Sequence, residues 1–519
     1  MVETDVLIIG TGIAGCVTAL ELAKSGIRVS LITKAEELKE TNTRKAQGGI
    51  IYKGEGDSPE LLRKDIMKAG DQACWEPAVE TVAREGPGLV KKLLIEEYGV
   101  EFTRDEKGEF SITNEAGHSL SRVLHAEDKT GEVIEEGLIK AVKRQKNIKI
   151  YGDHVLIDLL TYEHHVPSPL SAYKEPTCLG AYIFDVREKR VKKFLAKTTV
   201  LATGGLGQLF AYTINPSIAT GDGFAAAYRA GAKLINMEYI QFHPTAFYRK
   251  EGCDFLISET VRGEGGRLKN LAGEEFMLKY SKQGSLATRD VVARAIHQEM
   301  IERKEGWALL DLASYGDGKW IKRRFPTIYE ECMKHGIDIT KQSIPVVPAA
   351  HFACGGVKTD LEGCTNLNHL YAVGEVACTG LHGANRLAST SLLECLVWGH
   401  RAAKHVERHW KSYESFDTPE VPGWIETGRQ ESDPALIYQD WDTIKNTMWN
   451  YVGLVRSTQR LTRANHDLQN LWQEIEEFYR NARLNRMLIE LRHGIQTALV
   501  VANAAWRNKQ SRGCHYRVD

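Results

Sequence analysis

Arginine and histidine side chains in turn-like segments are the clearest sign of chemistry in this sequence. His243 directly precedes a proline, which favours extended backbone at the histidine, and Arg386 ends a glycine-containing segment that begins at residue 382. A guanidinium binds a carboxylate through two hydrogen bonds and stays charged at neutral pH. The candidates of this kind are His243, Ser258, Glu259, Arg289, His351 and Arg386. If the fold brings them together, they suit a substrate with two carboxylates.

These side chains need a scaffold, and its first recognisable part is a glycine-rich turn near the start of the chain. Residues 6–9 are typical of a buried parallel strand, a helix pattern ends at residues 25–26, and residues 27–32 are typical of a second strand. In such a unit the glycines make a tight turn, admit a pyrophosphate and let the helix pack on the strand. The turn has GxGxxG spacing and comprises Gly10, Thr11, Gly12, Ile13, Ala14 and Gly15.

The second strand ends in Thr33 and Lys34, where an acidic residue would normally hold ribose hydroxyls. The glycine-rich turn therefore predicts a dinucleotide site without choosing between NAD and FAD. Two later segments, KTTVLATGG at 197–205 and LYAVGEVA at 370–377, each run from a short strand into a glycine turn. The second carries Glu375, whose carboxylate can accept hydrogen bonds from a polyol chain. Either segment alone is equally consistent with an ordinary strand end, but together they complete the pattern of a FAD-binding Rossmann fold.

Composition limits the class of protein. The 519 residues suggest two to four domains of ~150 residues each, and a net charge of −1 disfavours a dedicated nucleic-acid-binding protein. No apolar run reaches the ~18 residues that cross a membrane, and no two of the ten cysteines form a CxxC pair, which disfavours zinc and iron–sulfur sites. Acidic residues precede the first apolar run, so we expect no signal peptide and a cytoplasmic protein. We also expect no metal site.

Longer motifs carry a resemblance that covers almost the whole chain. They include KAQGG at 45–49, MEYIQFHPTA at 237–246, SETVRGEGG at 258–266, TRDVVARAI at 288–296, VPAAHFACGG at 347–356 and GLHGANRLASTSLLECLVWG at 380–399. The chain resembles the succinate dehydrogenase/fumarate reductase flavoprotein superfamily, and within it the members that oxidise L-aspartate. Asn42 stands where the covalently flavinylated members carry a histidine. The resemblance therefore implies non-covalent FAD.

The resemblance also implies roles for the charged residues. His243, Ser258, His351 and Arg386 would bind the substrate carboxylates, and Arg289 would donate or accept a proton beside the flavin. An arginine base is unusual, because its pKa is so high; burial and two cationic neighbours would ease that role by lowering the pKa. Glu115, in the segment TNEAGHS, would lie near the substrate amino group. The alternative for Glu115 is a solvated turn carboxylate with no role.

The same resemblance implies a set of cofactor contacts beyond the glycine-rich turn. The loop 41–49 carries two adjacent glycines, which let backbone lie close against a flat ring. The predicted contacts are Lys34, Asn42, Thr43, Ala46, Gln47, Gly48, Gly49, Ala202, Thr203, Gly204, Asp222, Glu375, Ser391 and Leu392.

We predict three parts from the order of the motifs. Residues 1–230 and 344–412 would form the α/β FAD-binding Rossmann-type domain, and residues 231–343 an inserted α+β capping domain. A Pro-containing linker at 418–423 leads to a C-terminal helical bundle within 413–519, where leucines and aromatic residues recur at helical spacing.

The resemblance implies oxidation of L-aspartate to iminoaspartate by hydride transfer to FAD. The flavin would be reoxidised by O2, giving H2O2, or by fumarate, and quinolinate synthase would use the product in de novo NAD biosynthesis. A soluble fumarate reductase or succinate dehydrogenase flavoprotein is the alternative, and it has no need for Glu115. A nucleotide-binding protein without redox chemistry, such as a scaffold, or an RNA-modifying flavoprotein is a third interpretation. The net charge of −1 disfavours the RNA-modifying form.

Overall fold

The computed structural model describes residues 1–250, 252–253 and 255–519. Its strands are β1 (Val2–Ile9), β2 (Val29–Ile32), β3 (Ile50–Ile51), β4 (Ile112–Thr113), β5 (Val123–Leu124), β6 (Ile148–Tyr151), β7 (His154–Thr161), β8 (Cys178–Asp185), β9 (Arg190–Leu201), β10 (Leu234–Ile235), β11 (Ile240–Phe247), β12 (Arg267–Lys269), β13 (Ala308–Asp311), β14 (Ile344–Ala353), β15 (Gly356–Lys358), β16 (Leu370–Ala372) and β17 (Ala377–Cys378).

The helices lie between and after these strands. They are α1 (Ile13–Lys24), α2 (Pro59–Ala69), α3 (Glu76–Leu89), α4 (Thr130–Arg144), α5 (Tyr162–His165), α6 (Asp222–Arg229), α7 (Thr260–Gly263), α8 (Arg289–Arg303), α9 (Gly318–Arg324), α10 (Pro326–Lys334), α11 (Thr390–Glu414), α12 (Pro434–Val452), α13 (Thr458–Asn481) and α14 (Arg486–Arg507). A π-helical turn, Val90–Glu97, continues α3. Among the described residues, no helix combines the length and the apolar character needed to cross a membrane.

The largest sheet brings the three predicted strand–turn segments to one edge. Its order is β6-β2-β1-β9-β8-β7, and β16 also pairs with β9. Strands β1, β9 and β16 run parallel, and Leu201 of β9 is the register partner of both Ile9 and Ala372. Because the carboxyl ends of parallel strands share an edge, the turns that follow the three strands meet there. The expected mixed α/β architecture around this sheet is confirmed.

Strand β9 is longer than the sequence pattern indicates. We expected a short strand at 200–201, but β9 runs from Arg190 to Leu201. Its first half forms an antiparallel hairpin with β8 and is mostly half-buried, whereas most of its second half is buried. A half-exposed strand that carries four basic residues lacks the apolar run by which the buried end was recognised.

A second, four-stranded antiparallel sheet has the order β11-β14-β13-β12 and lies with α8. Strand β14 starts at Ile344, where we predicted the end of the inserted segment, and it pairs with β11 along Ile240–Phe247. This sheet therefore crosses the predicted boundary at residue 344. Strand β14 lies after that boundary, whereas its partner β11 lies within the predicted capping domain. The domain limits themselves stay a prediction.

The C-terminal region is helical. Helices α12, α13 and α14 pack on one another, and α14 also contacts α6. On α13 the residues Leu461, Leu468 and Ile475 recur every seventh position and are buried, which is the spacing that predicted a helix. Helical structure starts at Pro434, before the periodic segment, because Asp433 caps α12 through its side chain.

Candidate active site

One long cavity connects the glycine-rich turn with the arginine and histidine residues of the second sheet. Its lining includes every residue that we predicted as a cofactor, substrate or catalytic contact, except Gly15. The lining comes from the carboxyl edge of the large sheet, from the loop 41–49, from β11 and β14, and from the N-terminus of α8. The fold thus brings the predicted residues together from segments that lie far apart in the sequence.

At the glycine-rich turn, two glycines are required by packing. Gly10 has φ +120°, and a Cβ added there would lie 2.0 Å from the carbonyl oxygen of Ala202. A Cβ on Gly15 would lie 2.0 Å from the carbonyl oxygen of Gly10. Gly15 therefore lets α1 pack closely on the strand, as expected for the third glycine of the turn, and it does not line the cavity. The N–H of Ile13 donates to the Thr43 hydroxyl at 3.1 Å, so the loop 41–49 is fixed to the start of α1.

Lys34, at the position usually held by an acid, is part of a buried charge cluster. Its Nζ lies 2.8 Å from Asp222 and 3.0 Å from Glu490, and it donates to Thr220 at 2.6 Å. Burial alone would raise the pKa of Asp222, but Lys34 and His493 hold it well below its usual range. A carboxylate from α6 thus lies beside the residue that follows β2. Nothing in the local sequence of α14 indicated that Glu490 would join this cluster.

Buried polar atoms without partners mark the middle of the cavity. Glu375 accepts from the Ala353 N–H at 3.0 Å and from the Asn42 amide at 2.7 Å, and burial raises its pKa to about 7. Asn42 Oδ1, Gln47 Oε1 and Thr203 Oγ1 are buried and have no hydrogen-bond partner among the described residues. Such atoms cost free energy unless a bound group satisfies them. They fit a polar cofactor that lies along the cavity, as FAD would.

Two neutral histidines face each other at the other end of the cavity. His243 Nδ1 accepts from the Thr245 N–H at 3.2 Å, which assigns its proton to Nε2. His351 Nε2 lies 2.8 Å from an Nη of Arg386, and because a guanidinium only donates, the proton of His351 is on Nδ1. Burial and nearby arginines lower the pKa of both histidines well below the usual value. Each ring therefore keeps one N–H donor, and that of His351 has no partner.

The guanidinium of Arg386 is held by several contacts that leave its Nε without a partner among the described residues. It donates to Ser391 at 2.9 Å and lies over the Phe352 ring at 4.6 Å from its centroid, while its buried Nε has no partner. Burial and the charge of Arg289 lower its pKa to about 10, so it stays charged at neutral pH. A cation with a free donor in a buried cavity is suited to a carboxylate.

The backbone around Arg386 is anchored by contacts that sequence reasoning missed. The Gln241 amide donates to the Arg386 carbonyl at 2.9 Å and to Asn385 Oδ1 at 2.7 Å. The Cys514 thiol donates to the same Asn385 oxygen at 3.1 Å, and the Cys514 N–H donates to the Ala384 carbonyl at 2.9 Å. The C-terminal segment thus fixes a loop of the candidate active site. Nothing in the local sequence around Cys514 indicates this contact.

Arg289 has carboxylate neighbours in addition to the two cationic ones that we expected, Arg262 and Arg386. Its Nε donates to Glu259 Oε2 at 2.6 Å, and Glu259 Oε1 accepts from buried Arg262 at 2.9 Å. Burial disfavours the charge of Arg289, but Glu259 and Glu115 outweigh it and raise the pKa above the usual value. The expected lowering was wrong because the charge nearest to the guanidinium is negative. Each oxygen of Glu259 accepts from one arginine, so Glu259 holds Arg289 in place. Its contact with a substrate stays a prediction.

Glu115 lies against the loop 41–49. Its Oε2 accepts from the Ser389 hydroxyl at 2.5 Å, and a Cβ added to Gly48 would lie 2.8 Å from its Oε1. Burial raises the pKa of Glu115, although Ser389 and Arg289 both favour its charged form. A carboxylate that lines the cavity and has a raised pKa differs from the solvated turn carboxylate that was the alternative. It is positioned to accept a proton or to pair with a cation.

Two family models match the chain. Residues 5–392 match the FAD binding domain model, and residues 441–519 match the fumarate reductase flavoprotein C-terminal model. Curated proteins named L-aspartate oxidase are similar over nearly the full length. That of Acinetobacter baylyi is 41% identical, covering 99% of this chain and 93% of that protein. L-aspartate oxidase 1 of Ralstonia nicotianae is 43% identical, covering 99% and 95%.

Solved structures of a fumarate reductase chain and of the Sdh1 complex share the fold of this chain. A mutant FrdA chain of E. coli quinol fumarate reductase has a TM-score of 0.87 and 27% identity, covering 100% of this chain and 91% of that one. Mycobacterium smegmatis Sdh1 in the apo form has a TM-score of 0.82 and 29% identity, covering 99% and 89%. The predicted superfamily, the FAD cofactor and the oxidoreductase class are confirmed by these comparisons.

Proposed function

Because the chain belongs to the L-aspartate oxidase family of FAD-dependent oxidoreductases, within the succinate dehydrogenase/fumarate reductase superfamily, we propose that it oxidises L-aspartate to iminoaspartate. Bound FAD supplies the acceptor for the hydride, which leaves the substrate Cα. The electrons then pass to O2, giving H2O2, or to fumarate.

The unused donors of the cavity account for a dicarboxylate substrate. Arg386 Nε, Arg289 Nη1 and His351 Nδ1 are buried and have no hydrogen-bond partner in the described part of the chain. Together with His243 Nε2, they provide donors from several sides of the cavity. The Ser258 hydroxyl lines the same cavity and donates to the Thr260 hydroxyl at 3.1 Å. Two charged arginines balance the two carboxylates of the substrate, which would otherwise be costly to bury. Neutral histidines add hydrogen bonds without adding charge.

Glu115 is the observation that favours aspartate over succinate. A substrate with only two carboxylates gains nothing from a third carboxylate in its cavity, because like charges repel. L-Aspartate carries an ammonium, which a carboxylate held by Ser389 can bind. The raised pKa of Glu115 also suits a proton acceptor, and the ammonium has to lose a proton before the Cα–N bond gains double-bond character.

We assign Arg289 the role of a charged hydrogen-bond donor and not that of a base, which a pKa lowered by burial would have favoured. With a raised pKa it stays protonated, so it acts as a hydrogen-bond donor and cation and not as a base for the ammonium. Glu259 holds the guanidinium through its Nε and leaves Nη1 without a protein partner. We therefore assign the proton from the substrate amine to Glu115 and the orientation of a substrate carboxylate to Arg289.

The product fits a biosynthetic role. Iminoaspartate hydrolyses readily, so an enzyme that consumes it soon after release would preserve it. We propose that this enzyme is a quinolinate synthase and that the chain acts in de novo NAD biosynthesis.

Peroxide release from a panel of dicarboxylates and amino acids tests the proposed function. We expect peroxide with L-aspartate and little with succinate, L-glutamate or D-aspartate. Release with succinate and none with L-aspartate would instead favour a succinate dehydrogenase or fumarate reductase type of flavoprotein.

A further inference from the structure

A second cavity of about 670 Å³ opens away from the candidate active site. None of its lining residues lines the first cavity. Its floor is the small sheet β10-β15-β17, and its wall includes the segment 73–75 before α3. The volume lies in the ~300–1,000 Å³ range of small-molecule sites.

The floor of this second cavity carries a like-charge pair. Leu234 pairs with Val357, so the next residues outward, Lys233 and Lys358, stand opposite each other, and the Lys358 N–H donates to the Lys233 carbonyl at 2.8 Å. Like charges directly opposite each other on antiparallel strands are destabilising. Within the described part of the chain, no carboxylate lies within ion-pair distance of either ammonium, whereas many other lysines do have one.

The acidic residue of the lining makes no ion pair with either lysine. Asp360 also lines the cavity, but its Oδ1 accepts from the N–H groups of Glu362 and Cys364, both at 2.9 Å, within its own turn. Lys233 and Lys358 therefore line the cavity side by side, and neither has an ion-pair partner among the described residues. An anion with two negative charges would bind between them and remove the repulsion.

The wall of the cavity provides an aromatic surface. Trp75 is 42% exposed, although most tryptophans of a folded protein are largely buried. Its backbone is fixed, because its N–H donates to the Gly380 carbonyl at 2.8 Å and its Cβ packs against Gly380. An exposed indole on a rigid support is a surface on which a planar ring can stack.

We propose that this second cavity binds a planar aromatic ligand with a dianionic group, its ring on Trp75 and its charges between Lys233 and Lys358. The dianionic group is either a phosphate monoester or a pair of neighbouring carboxylates, since both place two charges within reach of two ammonium groups. This proposal is independent of the reaction assigned to the first cavity.

Calorimetry on the FAD-loaded protein tests the proposal with two probes. Adenosine monophosphate represents the phosphate monoester and phthalate the paired carboxylates, while adenosine and phthalamide are their uncharged counterparts. Excess FAD and saturating succinate are included, so that neither probe is measured at the first cavity. We expect one-to-one binding of at least one charged probe and none of the uncharged ones. The probe that binds identifies the source of the charge.

Variants locate the binding. The double variant Lys233→Gln/Lys358→Gln should weaken binding at least tenfold, and Trp75→Ala should weaken it more than Trp75→Phe. Lys143→Gln/Lys146→Gln changes two exposed lysines elsewhere and should leave the affinity unchanged. The cavity double variant should also melt no lower than the parent protein, because it removes a repulsion. The proposal is overturned if neither charged probe binds, or if the cavity double variant binds as tightly as the parent.

Discussion

The Nε of Arg289 and Oε2 of Glu259 lie 2.6 Å apart, and this ion pair decides what the arginine can do. The carboxylate keeps the guanidinium charged and in a fixed orientation, and Glu115 adds a second negative charge. Arg289 is therefore a permanent cation that lines the cavity. A base for the substrate ammonium has to be sought elsewhere, and Glu115 is the carboxylate whose contacts suit it.

Replacing Arg289 with leucine should abolish turnover while the protein keeps its FAD. The substitution removes a buried cation and its free donor, and the loss of one such group typically lowers kcat by about 10²–10³-fold. Stopped-flow reduction by L-aspartate and the flavin content of the purified variant are the measurements. Arg289→Lys retains the charge but not the planar donors, so its turnover rate should lie between those of the parent and the leucine variant. Near-normal turnover by the leucine variant would contradict the role assigned to Arg289.

Replacing Glu115 with glutamine should remove the acidic limb of the pH profile. In the parent protein kcat/KM should fall on acidification through the pKa of Glu115, because the carboxylate has to be ionised to take the proton. That pKa is raised by burial, so the fall should occur at higher pH than for an ordinary glutamate. Glutamine does not titrate, and the variant should be slow at all pH values and have a higher KM for L-aspartate. An unchanged acidic limb in the variant would assign the limb to another group.

Gly48→Ala should disturb the candidate active site without unfolding the protein. The added Cβ would lie 2.8 Å from Glu115 Oε1 and 3.6 Å from Ser389 Oγ, so the carboxylate has to move. We expect an increase of about tenfold or more in the KM for L-aspartate, equivalent to about 1.4 kcal/mol. Gly88→Ala is the matched control, because nothing lies within 4 Å of the Cβ it would add in α3. Equal kinetics for the two variants would mean that Gly48 does not limit the position of Glu115.

Gly10→Ala should prevent FAD binding. The new Cβ would overlap the Ala202 carbonyl oxygen at 2.0 Å, and φ +120° is unfavourable for alanine. The two turns at the sheet edge could then not both keep their places. The variant should be purified without yellow colour, and FAD fluorescence should show an affinity at least a hundredfold lower than that of the parent. Normal FAD content would place the cofactor away from this turn.

Parts of this molecule were predictable because they depend on local pattern and simple topology. The ends of β1, β9 and β16 were expected to meet, since each is an apolar strand followed by a small-residue turn and parallel strands share an edge. The helical spacing of Leu461, Leu468 and Ile475 likewise predicted α13.

Other parts depend on long-range contacts that leave no local trace. Glu490 reaches Lys34 from a C-terminal helix, and Cys514 reaches Asn385 from the end of the chain. The pKa of Arg289 was misjudged for the same reason. Glu259 is thirty residues away in the sequence, and only the fold shows that its carboxylate turns toward the guanidinium.

The proposed function requires that the cavity accept an amino dicarboxylate. Anaerobic titration of the FAD-loaded protein, with flavin absorbance as the readout, tests it most directly. We predict that L-aspartate bleaches the oxidised flavin band and that succinate at the same concentration does not. Bleaching by succinate alone would contradict the account and would leave Glu115 without its proposed role.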